Sequence, residues 1–192
     1  MFEKKGFEAD DIIATVVKAA KAKGLSTTIV SSDKDILQLV DEDTVVFSPH
    51  KDEAVTYDEE RVVERFGVKP KEITDIIALM GDDADNIPGV PGIGEKTAGE
   101  LIRNFGTLEK LLNNIDRIKQ DKIKKAVQDN IKQISLSKEL AMLDKDVDID
   151  FNLDKLKIGE PDFKELFRLF KYLEFKRLLE GLPIEEEKIR EE

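Results

Sequence analysis

The chain has 192 residues, with 31 Lys+Arg against 42 Asp+Glu and a formal charge of −11, enough length for one domain with a real core. The absence of Cys excludes a disulfide scaffold, a zinc ribbon and a thiol nucleophile, and a single His excludes a multi-histidine metal site. No apolar run is long enough to span a bilayer and Met1 to Lys5 lacks the apolar stretch of a signal peptide, so a cytoplasmic protein without a membrane role is expected.

Gly6-Phe7-Glu8-Ala9-Asp10-Asp11 crowds three acids into a loop and the first turn of a helix. That helix carries Ile12, Ile13, Val16, Val17 and Ala20 on one face and stops at Gly24. Acids at a helix start also serve as caps, so this cluster alone is weak evidence of a site. The β-branched run Ser26 to Ser31 predicts a buried strand. A second acidic group, Asp33-Lys34-Asp35, sits just past its carboxyl end, where open α/β sheets place ligand sites. Ile36 to Val40 predicts a short helix, Thr44 to Phe47 and Ala54 to Thr56 predict strands, and His50 is expected in a surface loop rather than as a base. Helices are expected over Tyr57 to Phe66 and Pro70 to Met80, with Pro70 at an allowed early position. A third acidic group follows, Gly81-Asp82-Asp83-Ala84-Asp85-Asn86, in which Asp82 and Asp85 share a face if the segment is helical. From Gly81 to Asp144 no strand is expected; the chain is α/β in front and helical behind.

Asn86 to Ala98 is the most particular stretch. Two prolines and three glycines make a tight hairpin leading into a helix that buries Ala98, Leu101, Ile102 and Phe105 and ends at Gly106. Glycines allow close backbone approach, and the amides around Gly92 and Gly94 open a helix N-terminus, which favours an anion. Lys96 adds a phosphate contact, Ile93 is expected to plug the hairpin into its own core, and the carbonyls suit a monovalent cation. It is not a P-loop, because the Gly-Lys-Ser/Thr ending is out of register and no strand precedes it. Residues 1–85 carry net −9 and residues 96–138 net +5, so the overall acidity does not exclude a phosphate-binding face. Lys110, Arg117, Lys119, Lys122, Lys124, Lys125, Lys132 and Lys138 follow the hairpin, and extended backbone contact or a solvated helix face remain equally open for each. Asp144 to Asp150 starts like a calcium loop but has Ile149 where Gly is needed and Lys155 where the bidentate Glu is needed, so an exposed edge strand or extended linker is expected instead. Phe163, Leu166, Phe167, Phe170 and Leu173 are expected in the core, and residues 185–192 as a frayed, charged tail.

Three acidic clusters at turns and helix ends repel unless a cation intervenes. Oxygen-only ligands favour Mg²⁺ or Mn²⁺, and this many carboxylates suit two ions, an arrangement able to hydrolyse a phosphodiester.

The four motifs around Glu8, Asp33, Asp82 and Gly92, in that order, together with Leu173-Glu174-Phe175, resemble the 5′–3′ exonuclease domain of bacterial DNA polymerase I, within the flap endonuclease family. The resemblance runs from about Phe2 to Pro183. It implies an α/β fold in which the C-terminal part of a PIN-like (Rossmann-like) nuclease sheet precedes a helix–three-turn–helix (helix-hairpin-helix) DNA-binding region. The implied boundaries are a partial nuclease core over 1–80, the DNA-binding region over 81–138, a C-terminal helical region packing on the core over 139–184, and the tail over 185–192. It implies a two-metal site of Glu8, Asp10, Asp11, Asp33, Asp35, Asp82 and Asp85, with Asp10, Asp11, Asp33 and Asp35 as the catalytic acids. Gly89, Gly92, Ile93, Gly94, Lys96 and Thr97 become the duplex contacts, with K⁺ as the hairpin's monovalent ion. The implied activity is Mg²⁺- or Mn²⁺-dependent hydrolysis of 5′ flaps, nicked duplex and RNA primer ends in replication and repair. The family's preceding portion, with its first central strand, further aspartates and basic arch, is absent from this sequence. A fragment of weak or no activity alone is therefore expected, with a separately encoded nuclease half or a polymerase as partner. The alternative is a catalytically silent duplex-binding module that uses only the hairpin.

Overall fold

The computed structural model describes residues 1–49 and 54–183; His50 and the tail 185–192 lie outside the described residues. The β-branched segments form a three-stranded sheet in the order β1-β2-β3. β1 (Thr27–Val30) runs parallel to β2 (Thr44–Ser48), with Thr27 opposite Thr44 and Val30 opposite Phe47. β2 pairs antiparallel with β3 (Val55–Tyr57), Val46 opposite Tyr57. The expectation of a buried first strand is corrected: β1 is an edge strand on which only Ile29 is buried, and Val30 is 67% exposed. Among the described residues β1 has a sheet neighbour on one side only, so its other backbone edge is open.

α1 (Ala9–Ala22) carries the expected apolar face, ends just before Gly24, and buries Ile12, Ala14, Val17 and Ala20. A 3₁₀ turn, Asp35–Leu39, follows β1 and buries Ile36, Leu37 and Leu39. α2 (Glu59–Phe66) starts two residues later than expected, because Tyr57 ends β3 and Asp58 caps the helix, its Oδ1 accepting from the Arg61 amide at 2.8 Å. α3 (Ile73–Met80), entered through a 3₁₀ turn at Pro70–Glu72, is buried on every residue from Ile73 to Leu79. A helix buried all round belongs at the centre of a core, and α4 (Glu95–Phe105) and α7 (Ile131–Ala141) pack against it. α5 (Leu108–Asn113), a 3₁₀ turn at Ile115–Arg117 and α6 (Asp121–Asp129) add Leu108, Leu111, Ile123 and Val127 to the same apolar cluster.

After α7 the acidic segment 144–150 forms neither helix nor strand, as an extended linker would, but it is tied along α1. Val147 is buried and donates its amide to Thr15 Oγ1 at 3.1 Å, while Lys18 pairs with Asp146 at 2.5 Å. This first compact unit spans Met1–Asp150.

The second unit, Phe151–Glu192, contains α8 (Phe163–Tyr172) and α9 (Lys176–Glu180). The expectation that its apolar set lies in the core is corrected: neither helix has a buried residue, Phe163, Leu166, Phe167 and Phe170 are half-buried, and Leu173 is 43% exposed. Two short helices carry too little chain to enclose a core of their own.

Candidate active site

Each acidic group is held by a different local device. Glu8 and Asp11 flank the start of α1, where the Glu8 amide donates to Asp11 Oδ2 at 3.1 Å, a helix-capping bond. The other oxygen of Asp11 accepts from the Asp144 amide at 2.9 Å, so this carboxylate also anchors the extended segment. Asp33 shapes the turn after β1: its amide donates to Ser31 Oγ and its Oδ1 accepts from the Asp35 amide, both at 3.1 Å. Asp35 opens the 3₁₀ turn and is buried, 6% exposed, with no hydrogen-bond partner on its Oδ1. Gln38 fixes that turn, donating to the carbonyls of Asp35 and Ala141 at 2.9 Å and accepting from the Leu143 amide at 3.2 Å.

The condition on which Asp82 and Asp85 would share a helical face is not met, because the segment is a turn. The chain leaves α3 at Gly81 and closes a loop by two backbone bonds between Asp82 and Ile87, of 2.9 and 2.8 Å, with Asn86 in the left-handed region at φ 55°. No residue from 81 to 94 is helical. Asp82 points inward, 4% exposed, and meets Lys34 Nζ at 2.6 Å; Asp85 is exposed.

Oxygens of Asp33, Asp35 and Asp85 lie within 4.8 Å of one another. Glu8, Asp10, Asp11, Asp35 and Asp85 line one concavity of about 380 Å³, together with Glu139 and Asp144, which the sequence did not assign to this site. Their membership depends on how α7 and the segment after it fold back, and no local motif marks it. Lys34 likewise carries no role that its local sequence would signal. Burial, then the charges of Asp33 and Asp85, push the Asp35 carboxyl up to about 7. Burial and the same two neighbours raise Asp10 to about 6, with smaller contributions from Glu8 and Asp11. Asp85 is raised by desolvation, then by Asp33 and Asp82, with Lys34 opposing. Burial also pushes Asp82 up, but the hydrogen bonds from Lys34 and the Ala84 amide, with the Lys34 charge, outweigh it and hold the group below its ordinary value.

The hairpin combines two kinds of glycine. A Cβ on Gly89 would lie 2.0 Å from the Met80 carbonyl oxygen, and one on Gly81, at φ 79°, would lie 2.4 Å from the Gly89 nitrogen. Those two positions seat the hairpin on the end of α3. A Cβ on Gly92, at φ 85°, or on Gly94 would meet nothing within 4 Å, so these two backbones face open space. Ile93 is buried, 4% exposed, and anchors the turn by its side chain. Gly94 is the N-cap of α4 and contributes no side-chain cap, while Lys96 is exposed and Thr97 half-buried in the first turn.

Residues 1–67 match the family described as 5′–3′ exonuclease, N-terminal resolvase-like domain, and residues 68–164 match 5′–3′ exonuclease, C-terminal SAM fold. A 5′–3′ exonuclease of Aquifex aeolicus is 39% identical over 179 residues, covering 93% of this chain and 60% of that protein. DNA polymerase I of Rhizobium leguminosarum is 42% identical over 176 residues, covering 92% of this chain and 17% of the polymerase. The chain thus spans less than two thirds of each of these relatives. The flap endonuclease of bacteriophage T5, solved in a pseudo-enzyme–product complex with DNA and metal ions, superposes with a TM-score of 0.65 at 26% identity over 75% of this chain and 52% of its own.

Proposed function

The chain belongs to the 5′–3′ exonuclease family, and we propose that it contributes to metal-dependent phosphodiester hydrolysis at 5′ ends of DNA. One observation carries this reading: Asp33, Asp35 and Asp85 converge within 4.8 Å, and the buried Asp35 oxygen among them has no protein partner. A buried carboxylate oxygen left without a donor is costly unless a cation meets it. The donor set is oxygen only, which fits Mg²⁺ or Mn²⁺. Asp33, Asp35 and Asp85 would hold one such ion, and Asp10, with Glu8 and Asp11 beside it, would complete a second position. Divalent ions bound there supply Lewis acidity at the scissile phosphate and a more acidic water.

The protein's own share is positional. Gln38 and the Asp33 turn hold the Asp35 backbone in place, and Lys34 holds Asp82 ionised beside the cluster. The free first-turn amides of α4, with Lys96 and Thr97, would hold a backbone phosphate, and the open backbones at Gly92 and Gly94 let the duplex approach. The same carbonyl-rich turn suits K⁺. The preferred substrates on this reading are 5′ flaps, nicks and primer ends. The open edge of β1 offers a place for one more strand.

The test is cleavage of a labelled 5′-flap duplex by the full chain in Mg²⁺ or Mn²⁺, with and without EDTA, alongside calorimetric titration of each ion. The proposal expects ion binding that Asp35→Asn weakens at least tenfold, and EDTA-sensitive cleavage, fast or slow, that the same variant abolishes. Wild-type titrations without saturable ion binding would sink it.

A further inference from the structure

A small polar pocket sits beside the acidic cluster, at the carboxyl ends of β1 and β2. Its volume is about 150 Å³, and Ser31, Asp33, Lys34, Tyr57 and Arg65 supply polar wall over a buried floor of Leu37 and Val46. Two of these residues belong to both places. Asp33 also meets Asp35 and Asp85, and Lys34 also pairs with Asp82 at 2.6 Å. The pocket is therefore the immediate neighbour of the proposed metal site and shares a wall with it. At about 30 Å³ per water it holds roughly five water-sized groups, the heavy-atom count of one phosphate and too few for a nucleoside.

Its wall is rich in donors. Ser31 Oγ already accepts from the Asp33 amide, and the Tyr57 phenol oxygen already accepts from Arg65, so the hydrogen of each hydroxyl is left to donate elsewhere. Tyr57 is buried, 6% exposed, which fixes where its phenol sits. Arg65 is held by the rings beside it: its guanidinium carbon stands 4.7 Å from the Phe66 ring centre and 5.6 Å from that of Tyr57. On the same helix Arg61 pairs with Glu64 at 2.6 Å, whereas Arg65 forms no ion pair among the described residues. A stacked guanidinium without a carboxylate, next to two hydroxyl donors and an ammonium, makes a receptor for a tetrahedral oxyanion. The one acid in the wall, Asp33, opposes an anion until a divalent ion neutralises it, so anion and ion reinforce one another.

We infer that this pocket binds one phosphate group of the strand being cleaved, at a linkage next to the scissile one, with Arg65 as its principal partner. The inference rests on the proposed hydrolysis for the strand it serves, while Arg65, Tyr57 and Ser31 belong neither to the metal ligands nor to the hairpin. A fixed positive partner beside the ions sets which linkage of the strand reaches them. The pocket thus acts on register along one strand rather than on grip of the duplex.

The experiment is a double-mutant cycle between protein and DNA, read by fluorescence anisotropy of a labelled 5′-flap duplex with Ca²⁺ as the divalent ion. The DNA carries natural linkages or a single neutral methylphosphonate, placed in turn at each linkage flanking the flap junction. The protein is the full chain, Arg65→Gln, which keeps a donor for Tyr57, or Tyr57→Phe, which keeps the ring beside Arg65. At one position the methylphosphonate is expected to weaken binding by the parent about tenfold, the loss of one charge-assisted contact, and by Arg65→Gln less than about twofold. Tyr57→Phe is expected to lie between them. Equal losses in the parent and Arg65→Gln at every position overturn this inference, and intact ion titrations then leave the metal reading standing. Absence of saturable ion binding by the parent overturns the metal reading, and with it the pocket's place in the reaction, a failure distinct from a lost Arg65 coupling. Inorganic phosphate and thymidine 5′-monophosphate, against thymidine, are the free-anion probes, read by NMR at the Ser32 and Tyr57 amides. Saturable, Arg65-dependent shifts that Mg²⁺ leaves unchanged, together with equal methylphosphonate losses, would identify a free-phosphate site and overturn the strand assignment.

Discussion

Lys34 Nζ lies 2.6 Å from Asp82 Oδ2, and it is the cation that makes a buried carboxylate tolerable at the rim of an acidic cluster. The Asp82 side chain is 3% exposed and that of Lys34 35%, so the pair is half-open. Removing the ammonium leaves a buried charge without its main partner. Lys34→Gln is therefore expected to cost about 3 kcal/mol in urea denaturation without divalent ions, the low end for breaking a buried pair. Saturating Mg²⁺ should return much of that loss if a bound ion takes over the neutralisation. Equal losses with and without Mg²⁺ would show that Asp82 is structural only.

The two kinds of glycine in the hairpin separate folding from binding. Gly89→Ala forces a methyl to within 2.0 Å of the Met80 carbonyl, a backbone neighbour that cannot rotate away. It should lower the melting temperature markedly and release the hairpin from α3. Gly94→Ala meets nothing within 4 Å and keeps an extended backbone at φ −100°, so its folding cost is limited to about 1 kcal/mol at the N-cap. Its effect should appear as weaker duplex binding. Circular dichroism melts and anisotropy titrations of the two variants distinguish these outcomes, and a Gly94→Ala protein that binds normally would remove the close-approach argument.

The carboxylates also set a pH dependence. Asp35 at about 7 and Asp10 at about 6 both stand above the ordinary 3.8. The native state therefore holds more protons than the unfolded chain between roughly pH 4 and 7, and stability falls as pH rises through that window. Asp82 and Glu109 are shifted the other way, so their contribution is lost only as pH falls below the ordinary carboxylate range. In EDTA the melting temperature should peak near pH 5 and decline towards pH 8, and Asp35→Asn should flatten the decline. Ion affinity should rise over the same interval, because binding displaces those protons. A melting temperature that climbs from pH 5 to 8 in EDTA would contradict both shifts.

Much of the local architecture was legible because it is encoded locally. Gly24 and Gly106 stop their helices where the apolar spacing ends, and Asp33 and Asp35 follow a β-branched run, which places them at a strand end. What escaped depends on partners distant in sequence. Val30 has the composition of a buried strand residue, but it points to the opposite side of β1 from the buried Ile29 and is exposed there. Asp82 and Asp85 have helical spacing, yet the bridge from Asp82 to Ile87 makes the segment a turn, with Asp82 buried and Asp85 exposed. Glu139 and Asp144 reach the acidic concavity only because the chain returns from α7 to α1. Phe167 and Phe170 have core periodicity, but periodicity names an apolar face without naming what covers it.

Asp75 is the clearest of these long-range cases and supports a last prediction. It sits in the apolar interior of α3, 3% exposed, at a position whose local sequence calls for no carboxylate. Its Oδ2 accepts from the Leu108 amide at 3.0 Å, taking up a first-turn N–H of α5, and its Oδ1 meets Lys138 of α7 at 2.8 Å. Lys138 also pairs with Glu109, and those two hydrogen bonds raise the lysine against the opposing effect of burial. One carboxylate thus ties α3, α5 and α7 together, away from the acidic cluster. Asp75→Ala strips the partner from a buried amide and a part-buried ammonium at once, for an expected loss of about 3–4 kcal/mol. Asp75→Asn keeps an acceptor for the Leu108 amide and should lose less. Below the melting transition both variants should bind Mg²⁺ or Mn²⁺ as the parent does, measured by calorimetry at low temperature. A selective loss of ion affinity in folded Asp75→Asn would place Asp75 in the chemistry of the site rather than in the frame that supports it.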